Sequence, residues 1–118
     1  MASVPLRSTR DVTTFVLVHG GGHGGWCWRW TADELRRRGH EVHTPTLTGF
    51  GERAHLAACA TSFETFIDDV VGVLTYEDLR DVVLVGHSMG GMIVPRVAEA
   101  APERIARAVW LTAAVCDD

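Results

Sequence analysis

Four short stretches typical of strands alternate with helical patterns along the 118-residue chain. Residues 15–18 and 82–85 are continuously apolar, residues 108–114 form a longer and largely apolar run, and residues 41–45 are expected to form a second, weaker strand. Continuous apolarity is typical of strands that are covered on both faces, as in a parallel sheet. Strands that alternate with helices indicate right-handed βαβ units. The sequence therefore predicts an α/β fold with a mostly parallel sheet of about four strands and flanking helices.

Three helices are expected to connect these strands. The first begins between Gly25 and Thr31 and ends at Gly39. The capping-box spacing of Thr31 and Glu34 favours the later start. Residues 48–61 are expected to form a loop, because they include two glycines.

The second helix follows Ser62, which can cap its first turn. Its apolar positions recur at gaps of three and one residues, which defines one face of a 3.6-residue period. The third helix runs from Met89 to about Ala101 and is stopped by Pro102. Pro95 lies beyond its first turn, where proline costs roughly 3 kcal/mol or kinks the helix. The apolar positions of the second helix are Phe63, Phe66, Ile67, Val70, Val71 and Leu74.

Size and charge limit the class of protein. The chain is expected to form one domain, with residues 1–12 as a flexible leader and residues 13–118 as the core. Apolar residues make up 47% of the chain, which is enough for a hydrophobic core. The formal net charge of −4 argues against a nucleic-acid partner. All basic residues are arginines, which excludes a catalytic lysine.

The cysteines do not suggest a disulfide framework. Cys27, Cys59 and Cys116 are odd in number and lack C-x-x-C spacing, so a reducing compartment is expected. The start of the chain lacks the apolar stretch of a signal peptide, and no apolar window is long enough to span a bilayer. We therefore expect a cytoplasmic protein without a membrane segment.

A candidate nucleophile follows the third strand. Residues 86–90 read Gly-His-Ser-Met-Gly, a G-x-S-x-G motif between an apolar strand and a helix of small residues. A sharp strand–turn–helix lifts the hydroxyl of Ser88 clear of the sheet, and Gly86 and Gly90 provide the space that the turn needs. The alternative is a glycine-rich turn in which Ser88 has no chemical role.

A second glycine-rich turn, residues 19–22, follows the first strand. The backbone N–H of Gly21 or Gly22, together with that of Met89, can hold a developing oxyanion. If the strand order is second, first, third, fourth, the chain changes direction between the first and third strands. Ligands bind at such a switch point, and both turns then face the same crevice.

Neither a cofactor nor a metal is expected. Gly20, Gly22 and Gly25 satisfy G-x-G-x-x-G, but no acidic residue follows at dinucleotide spacing and the P-loop pattern is missing. The histidines lack the H-E-x-x-H spacing or a similar metal-binding pattern. Three of them are expected at the surface or in packing: His40, His43 and His55.

None of the remaining histidines is a convincing general base. The side chain of His87 is expected to point away from the place where a base would contact Ser88. It is expected to line the substrate pocket, together with His19 and Gly20. His19 and His23 are also expected to support their loop by hydrogen bonds. No histidine follows Ser88 in the chain, so the nucleophile lacks an evident base.

Several stretches resemble the N-terminal half of α/β-hydrolases related to plant methylesterases and hydroxynitrile lyases. They are residues 15–26, 39–42, 82–92 and 102–105, and the similarity covers most of residues 14–118. Bacterial esterases of this type are more similar than the plant members. The resemblance implies a domain of roughly twice this length. In that domain a cap, two more strands, the triad acid and the triad histidine follow the fourth strand.

The resemblance also implies roles for individual residues. Ser88 is the nucleophile, and Gly21 and Met89 are oxyanion-hole donors. The lyase branch has a threonine at the position of Gly20 and an acidic residue at the position of His87. These two departures favour ester hydrolysis over cyanohydrin cleavage.

We therefore expect a serine hydrolase that cleaves a small carboxylic ester through an acyl-enzyme, with base and acid supplied from outside this chain. The 118 residues alone are expected to be inactive. Asp117 and Asp118 are faint candidates for the acid, although a polar loop is the simpler interpretation. The alternatives are a non-catalytic module that binds a small molecule and an inactive fragment. An unpaired sheet edge would favour self-association or pairing with a complementing C-terminal polypeptide.

Overall fold

The structure is a computed structural model, and it describes residues 12–111. Its strands are Thr14–Val18 (β1), Glu41–His43 (β2), Val82–His87 (β3) and Ile105–Leu111 (β4). Its α-helices are Arg29–Arg37 (α1), Phe63–Tyr76 (α2) and Gly90–Ala100 (α3), and none within the described range is long and apolar enough to cross a bilayer. The predicted leader up to residue 11, residues 112–114 of the predicted fourth strand, Cys116, Asp117 and Asp118 lie outside the described residues.

All four strands are parallel and lie in the order β2-β1-β3-β4. The predicted fold class and strand order are therefore confirmed. Val18 of β1 pairs with Gly86 of β3, so these two strands end side by side. The glycine-rich turns that follow them leave the same edge of the sheet, at the point where the chain changes direction.

The side chains of β1 and β3 alternate between two hydrophobic cores. Val16, Val18 and Leu84 pack with the apolar faces of α2 and α3. Leu17 and Val85 point to the opposite face, where they pack with residues of the α1 side. The sheet is thus covered on both faces, which explains why its strands are continuously apolar.

α1 begins earlier than the capping-box spacing predicts. A short 3₁₀ segment, Gly25–Trp28, runs directly into α1, so Thr31 lies within the first turn of the helix. Trp28 and Ala32 are buried in the core on this side of the sheet. Their packing outweighs the local preference for a cap at Thr31, because most helical stability comes from tertiary contacts. Gly39 follows the helix with a φ of +90°, as a terminating glycine should.

Three other features differ from the prediction. A 3₁₀ segment, Gly51–Cys59, forms within the predicted loop, and none of its residues is buried. Such a segment has no apolar face, so periodicity gives no signal for it. Ser62 occupies the N-cap position of α2, but its side chain makes no capping hydrogen bond. β4 begins at Ile105 rather than at Ala108.

Pro95 lies inside α3 without ending it. Proline has no N–H, so the carbonyl of Gly91, four residues earlier, lacks its usual helical donor. The indole Nε1–H of Trp110 donates to this carbonyl at 2.9 Å instead. A side chain of β4 therefore supplies the hydrogen bond that Pro95 cannot make, and it connects the first turn of α3 to the sheet.

Candidate active site

Ser88 occupies the sharp turn between β3 and α3, and it is half-buried. Its φ of +54° lies in the left-handed region, which costs a residue with a side chain about 1–2 kcal/mol. The carbonyl of Ser88 accepts the N–H of Gly91 at 2.9 Å, which closes the turn. A serine with a strained backbone between a buried strand and a helix has the local geometry of a nucleophile elbow.

Gly86 and Gly90 allow β1, β3 and α3 to meet at this turn. A Cβ atom placed on Gly86 would lie 2.5 Å from the carbonyl oxygen of Gly90, and one on Gly90 would lie 2.5 Å from that of Val18. Cβ atoms essentially never come within 3.0 Å of another heavy atom, so no side chain fits at either position. The backbone around Ser88 is thus fixed by close packing.

The turn after β1 lies directly beside Ser88. A Cβ atom on Gly20 would be 2.9 Å from the Cβ atom of Ser88, and one on Gly21 would be 3.8 Å from the sulfur of Met89. Gly22 has a φ of +77° and open space around it. Among the turn and loop hydrogen bonds of residues 12–111, none is donated by the amide of Gly21, Gly22 or Met89. Uncovered amides therefore border the serine.

The imidazole of His19 supports the turn after β1 from inside the protein. It is fully buried, its Nε2 accepts the N–H of Leu47 at 2.9 Å, and its Nδ1–H donates to the carbonyl of Gly20 at 2.8 Å. These partners fix the neutral tautomer that is protonated on Nδ1. Burial lowers the pKa of His19 below its ordinary value, which keeps the ring neutral near pH 7.

A second connection holds the other end of this turn. The N–H of Gly25 donates to the hydroxyl of Thr46 at 2.8 Å, and this hydroxyl donates to Oε2 of Glu52 at 2.7 Å. The hydrogen bond from Thr46 lowers the pKa of the Glu52 carboxyl, which favours its ionised form. Residues 20–24 are therefore held at both ends by the segment that follows β2. Neither Thr46 nor Glu52 stands out in the sequence, because single polar residues in a loop form no motif.

His87 faces a cleft on the α1 side of the sheet. The ring of His87 meets that of Trp28 edge to face, with the centroids 6.1 Å apart. Of the three residues predicted to line the substrate pocket, only His87 lines this cleft, since His19 is enclosed and Gly20 is covered by Ser88. The cleft has a volume of about 280 Å³, and its lining residues are His23, Cys27, Trp28, Thr31 and His87.

The described residues do not supply a base for Ser88. Within residues 12–111, no hydrogen bond connects the Ser88 side chain to an imidazole or a carboxylate. His40 accepts a backbone amide, His43 contacts a neighbouring glutamate, and His55 is exposed. In the same part of the chain, no group of three or more His, Cys, Asp or Glu side chains is suited to hold a metal ion.

A strained serine turn at the carboxyl edge of a parallel sheet in this strand order defines the α/β hydrolase class. The model of the Alpha/beta hydrolase family matches residues 15–118, and the chain belongs to this family.

Three known proteins illustrate the relationship. The chain is 52% identical over 104 residues to the carbendazim hydrolyzing esterase of Nocardioides sp. (strain SG-4G). The matched region covers 88% of this chain and 43% of that protein. It is 36% identical over 104 residues to methylesterase 9 of Arabidopsis thaliana, with coverages of 87% and 41%. An extracellular α/β-hydrolase from a Paenibacillus species superposes with a TM-score of 0.78 at 38% identity, over 86% of this chain and 40% of that one.

These findings confirm the resemblance to plant methylesterases and related esterases. The chain spans about two fifths of the length of these relatives.

Proposed function

We propose that this chain carries the nucleophile portion of a carboxylic ester hydrolase. Ser88 attacks the ester carbonyl, the alcohol leaves, and water then releases the acid from the acyl-enzyme. The φ of +54° at Ser88, fixed by the packing of Gly86 and Gly90, is the observation that carries the proposal. Relatives named as esterases match 88% and 87% of the chain, which supports a small ester as substrate.

The oxyanion hole is proposed to consist of the backbone amides of Gly21, Gly22 and Met89. The turn that carries the two glycines borders Ser88, and a Cβ atom placed on Gly21 would lie 3.8 Å from the sulfur of Met89. Amides that donate no other hydrogen bond are free to stabilise the negative charge that develops on the carbonyl oxygen. A donor of this kind typically contributes about 3 kcal/mol to lowering the barrier.

The base and the acid of the reaction are proposed to come from residues outside this sequence. No histidine follows Ser88, and the chain spans about two fifths of the length of its esterase relatives. A serine hydroxyl without a base is a weak nucleophile. Residues 1–118 alone should therefore hydrolyse esters many powers of ten more slowly than a complete site.

Cyanohydrin cleavage is the less favoured chemistry because of Gly20. The resemblance to the lyase branch requires a threonine at this position. A Cβ atom there would lie 2.9 Å from that of Ser88 and 3.2 Å from the carbonyl oxygen of His87. A threonine at position 20 would thus displace the turn that carries Ser88. The packing at Gly20 therefore favours a reaction that does not use a threonine hydroxyl at this position.

A fluorophosphonate probe tests the proposal on the native protein, because the probe forms an adduct only with an activated serine. We expect one adduct by intact mass, its loss in Ser88→Ala, and its retention in Ser62→Ala, which changes a serine without a side-chain capping bond. The same spectrum gives the length of the native chain. Labelling that persists in Ser88→Ala would refute the assignment of the nucleophile. A folded native protein without labelling would indicate the non-catalytic binding module.

A further inference from the structure

A carboxylate in the middle of α2 is not explained by the packing of that helix. Asp69 lies between Ile67 and Val70, which are buried in the core, and its side chain is only 14% exposed. Aspartate is a poor helix former in a helix interior, and enclosing its charge costs free energy unless hydrogen bonds compensate. The neighbouring Asp68, by contrast, is exposed. An aspartate placed against both local preferences indicates a role in tertiary contact.

Both oxygens of Asp69 accept hydrogen bonds from one residue, Thr48. The backbone N–H of Thr48 donates to Oδ2 at 2.6 Å, and its hydroxyl donates to Oδ1 at 2.7 Å. Thr48 is only 6% exposed. A guanidinium N–H of Arg53 donates to the same hydroxyl oxygen at 3.1 Å and lies 3.9 Å from Oδ1 of Asp69. Because hydrogen bonds to a carboxylate are stronger than those between neutral groups, Thr48 is held firmly against α2.

The preceding amide of the chain connects this contact to the turn after β1. The N–H of Leu47 donates to Nε2 of His19, whose Nδ1–H donates to the carbonyl of Gly20. The carboxylate on α2 and this imidazole therefore bind the consecutive amides of Thr48 and Leu47. Residues 46–50 form neither helix nor strand, so no regular structure of their own fixes them. Their position against the imidazole depends on contacts made from outside the segment.

Aromatic contacts connect the same elements. The ring of Phe50 meets that of His19 edge to face, with the centroids 5.6 Å apart. The ring of Phe50 also lies 5.6 Å from that of Phe66 on α2. Phe66 and Asp69 are three residues apart and so lie on the same side of this helix. α2 thus supports the surroundings of His19 through both polar and apolar contacts.

We propose that Asp69 is a positioning residue for the oxyanion hole. This inference rests on the proposed function, in which the amides of the turn after β1 stabilise the oxyanion. Asp69 does not touch the substrate; it acts through the hydrogen bonds of Thr48, Leu47 and His19. When Thr48 is released from α2, residues 46–50 can move, and the imidazole loses the fixed contact that holds the turn. Oxyanion-hole donors are effective because they are preorganised, so this movement slows the attack of the nucleophile.

A substitution at position 69 and a matched one at position 68 separate positioning from simple stabilisation. Asp69→Ala removes both acceptors of Thr48 while raising the helix propensity of α2. Asp68→Ala brings the same gain in propensity at an exposed position of the same helix. In the native protein labelled with ¹⁵N, Asp69→Ala should move the amide resonances of Gly21 and Gly22 and the Nδ1–H resonance of His19. Asp68→Ala should leave these resonances in place.

The rate of fluorophosphonate labelling gives the functional readout, because the phosphoryl oxygen of the probe uses the same amides. It is measured where circular dichroism shows that every variant is folded. Asp69→Ala should be labelled about tenfold more slowly than the wild type, as expected for the loss of hydrogen bonds to a charged group. Thr48→Val removes only the hydroxyl bond and should be slowed less. Thr48→Ser keeps both donors and should be labelled at the rate of the wild type.

The proposal is overturned if folded Asp69→Ala leaves the resonances of Gly21 and Gly22 unmoved, or if it is labelled as fast as Asp68→Ala. A lower free energy of unfolding without these changes would give Asp69 a structural role alone. If Asp69→Ala does not fold, the difference between Thr48→Val and Thr48→Ser in the same two measurements decides. If the wild-type protein is not labelled at all, the proposed function fails, whereas the resonances still decide whether Asp69 positions the turn.

Discussion

The turn after β3 and the turn after β1 both depend on glycine, but for different physical reasons. Gly86 and Gly90 are enclosed by backbone atoms that would lie 2.5 Å from any added Cβ atom. Gly22 has open space around it, and a Cβ atom on Gly21 would meet only the sulfur of Met89 at 3.8 Å. The turn after β3 needs glycine so that three elements can meet, and Gly20 shares this tight packing, since a Cβ atom on it would lie 2.9 Å from that of Ser88. Gly21 and Gly22 of the turn after β1 are not enclosed in this way, and they leave their amides uncovered.

This difference shows how the two parts of the site are held. The position of Ser88 follows from close packing of β1, β3 and α3. The position of the amides after β1 follows instead from hydrogen bonds at the two ends of their loop, made by His19 with Leu47 and by Gly25 with Thr46. Substitutions in the first turn should therefore affect global stability, and substitutions in the second should act more locally.

The largest effect is expected for Gly90→Ala. The new methyl group would collide with the carbonyl of Val18, and overpacking against backbone should lower the free energy of unfolding by at least about 3 kcal/mol. Gly72→Ala in α2 is the matched control, because no atom lies within 4 Å of the new methyl group. It should stabilise the protein by about 0.5–1 kcal/mol. Similar urea midpoints for both variants would contradict the packing argument.

His19→Leu should have the next largest effect. It leaves the N–H of Leu47 and the carbonyl of Gly20 without partners in a buried place, and this should cost about 2–3 kcal/mol of unfolding free energy. Urea denaturation at pH 7.5 followed by circular dichroism measures the loss. If His19→Leu lowers the free energy of unfolding by less than a typical surface substitution does, the turn after β1 does not depend on the imidazole of His19.

The pH dependence of stability should also depend on His19. Its pKa is lowered in the folded state by burial, so as pH falls below about 6.5 the unfolded chain binds a proton that the folded chain does not. Stability should be constant in this respect above about pH 6.5 and decline below it. His19→Gln cannot titrate, so its unfolding free energy should decline less between pH 7 and 5. Equal slopes for the two proteins would rule out His19 as the titrating group.

Gly22→Ala tests the open turn. The φ of +77° strains any residue with a side chain, which should cost about 1 kcal/mol although nothing blocks the methyl group. Gly21→Ala has neither strain nor a close contact, so its stability should change by less than about 0.5 kcal/mol. A cost for Gly22→Ala as large as that for Gly90→Ala would remove the distinction between the two turns.

The smallest effect is expected for the hydrogen bond between the indole of Trp110 and the carbonyl of Gly91, which connects the first turn of α3 to β4. Trp110→Phe removes the donor to the Gly91 carbonyl and should cost about 1 kcal/mol. Pro95→Ala restores the helical N–H for the same carbonyl. In a double-mutant cycle, Trp110→Phe should therefore cost less when residue 95 is alanine. Additive changes would show that the two residues act independently.

The sheet and the position of Ser88 could be predicted because both rest on local patterns. Apolar runs marked the strands, and the glycines on either side of Ser88 marked a tight turn. The parts that escaped prediction depend on tertiary contact. Burial of Trp28 and Ala32 shifted the start of α1. The carbonyl of Gly91, which Pro95 leaves without a helical donor, is paired with the side chain of Trp110, nineteen residues further along the chain.

The candidate site shows the same division. The support that His19 gives to its loop was predicted from its place beside glycines, but its partner, the amide of Leu47, has no sequence signal. Thr46 and Glu52 were missed for the same reason. Single polar residues become recognisable only when the segments that follow β1 and β2 are placed side by side.

The hydrogen bond between Leu47 and His19 offers a direct measure of local motion. The amide of Leu47 lies in a segment without regular secondary structure, yet it is buried and donates to an imidazole. Exchange of this amide with deuterium requires the imidazole of His19 to move away. The exchange rate therefore reports how often the turn after β1 opens locally. An isotope measurement at one position can thus report on the preorganisation of the proposed oxyanion hole.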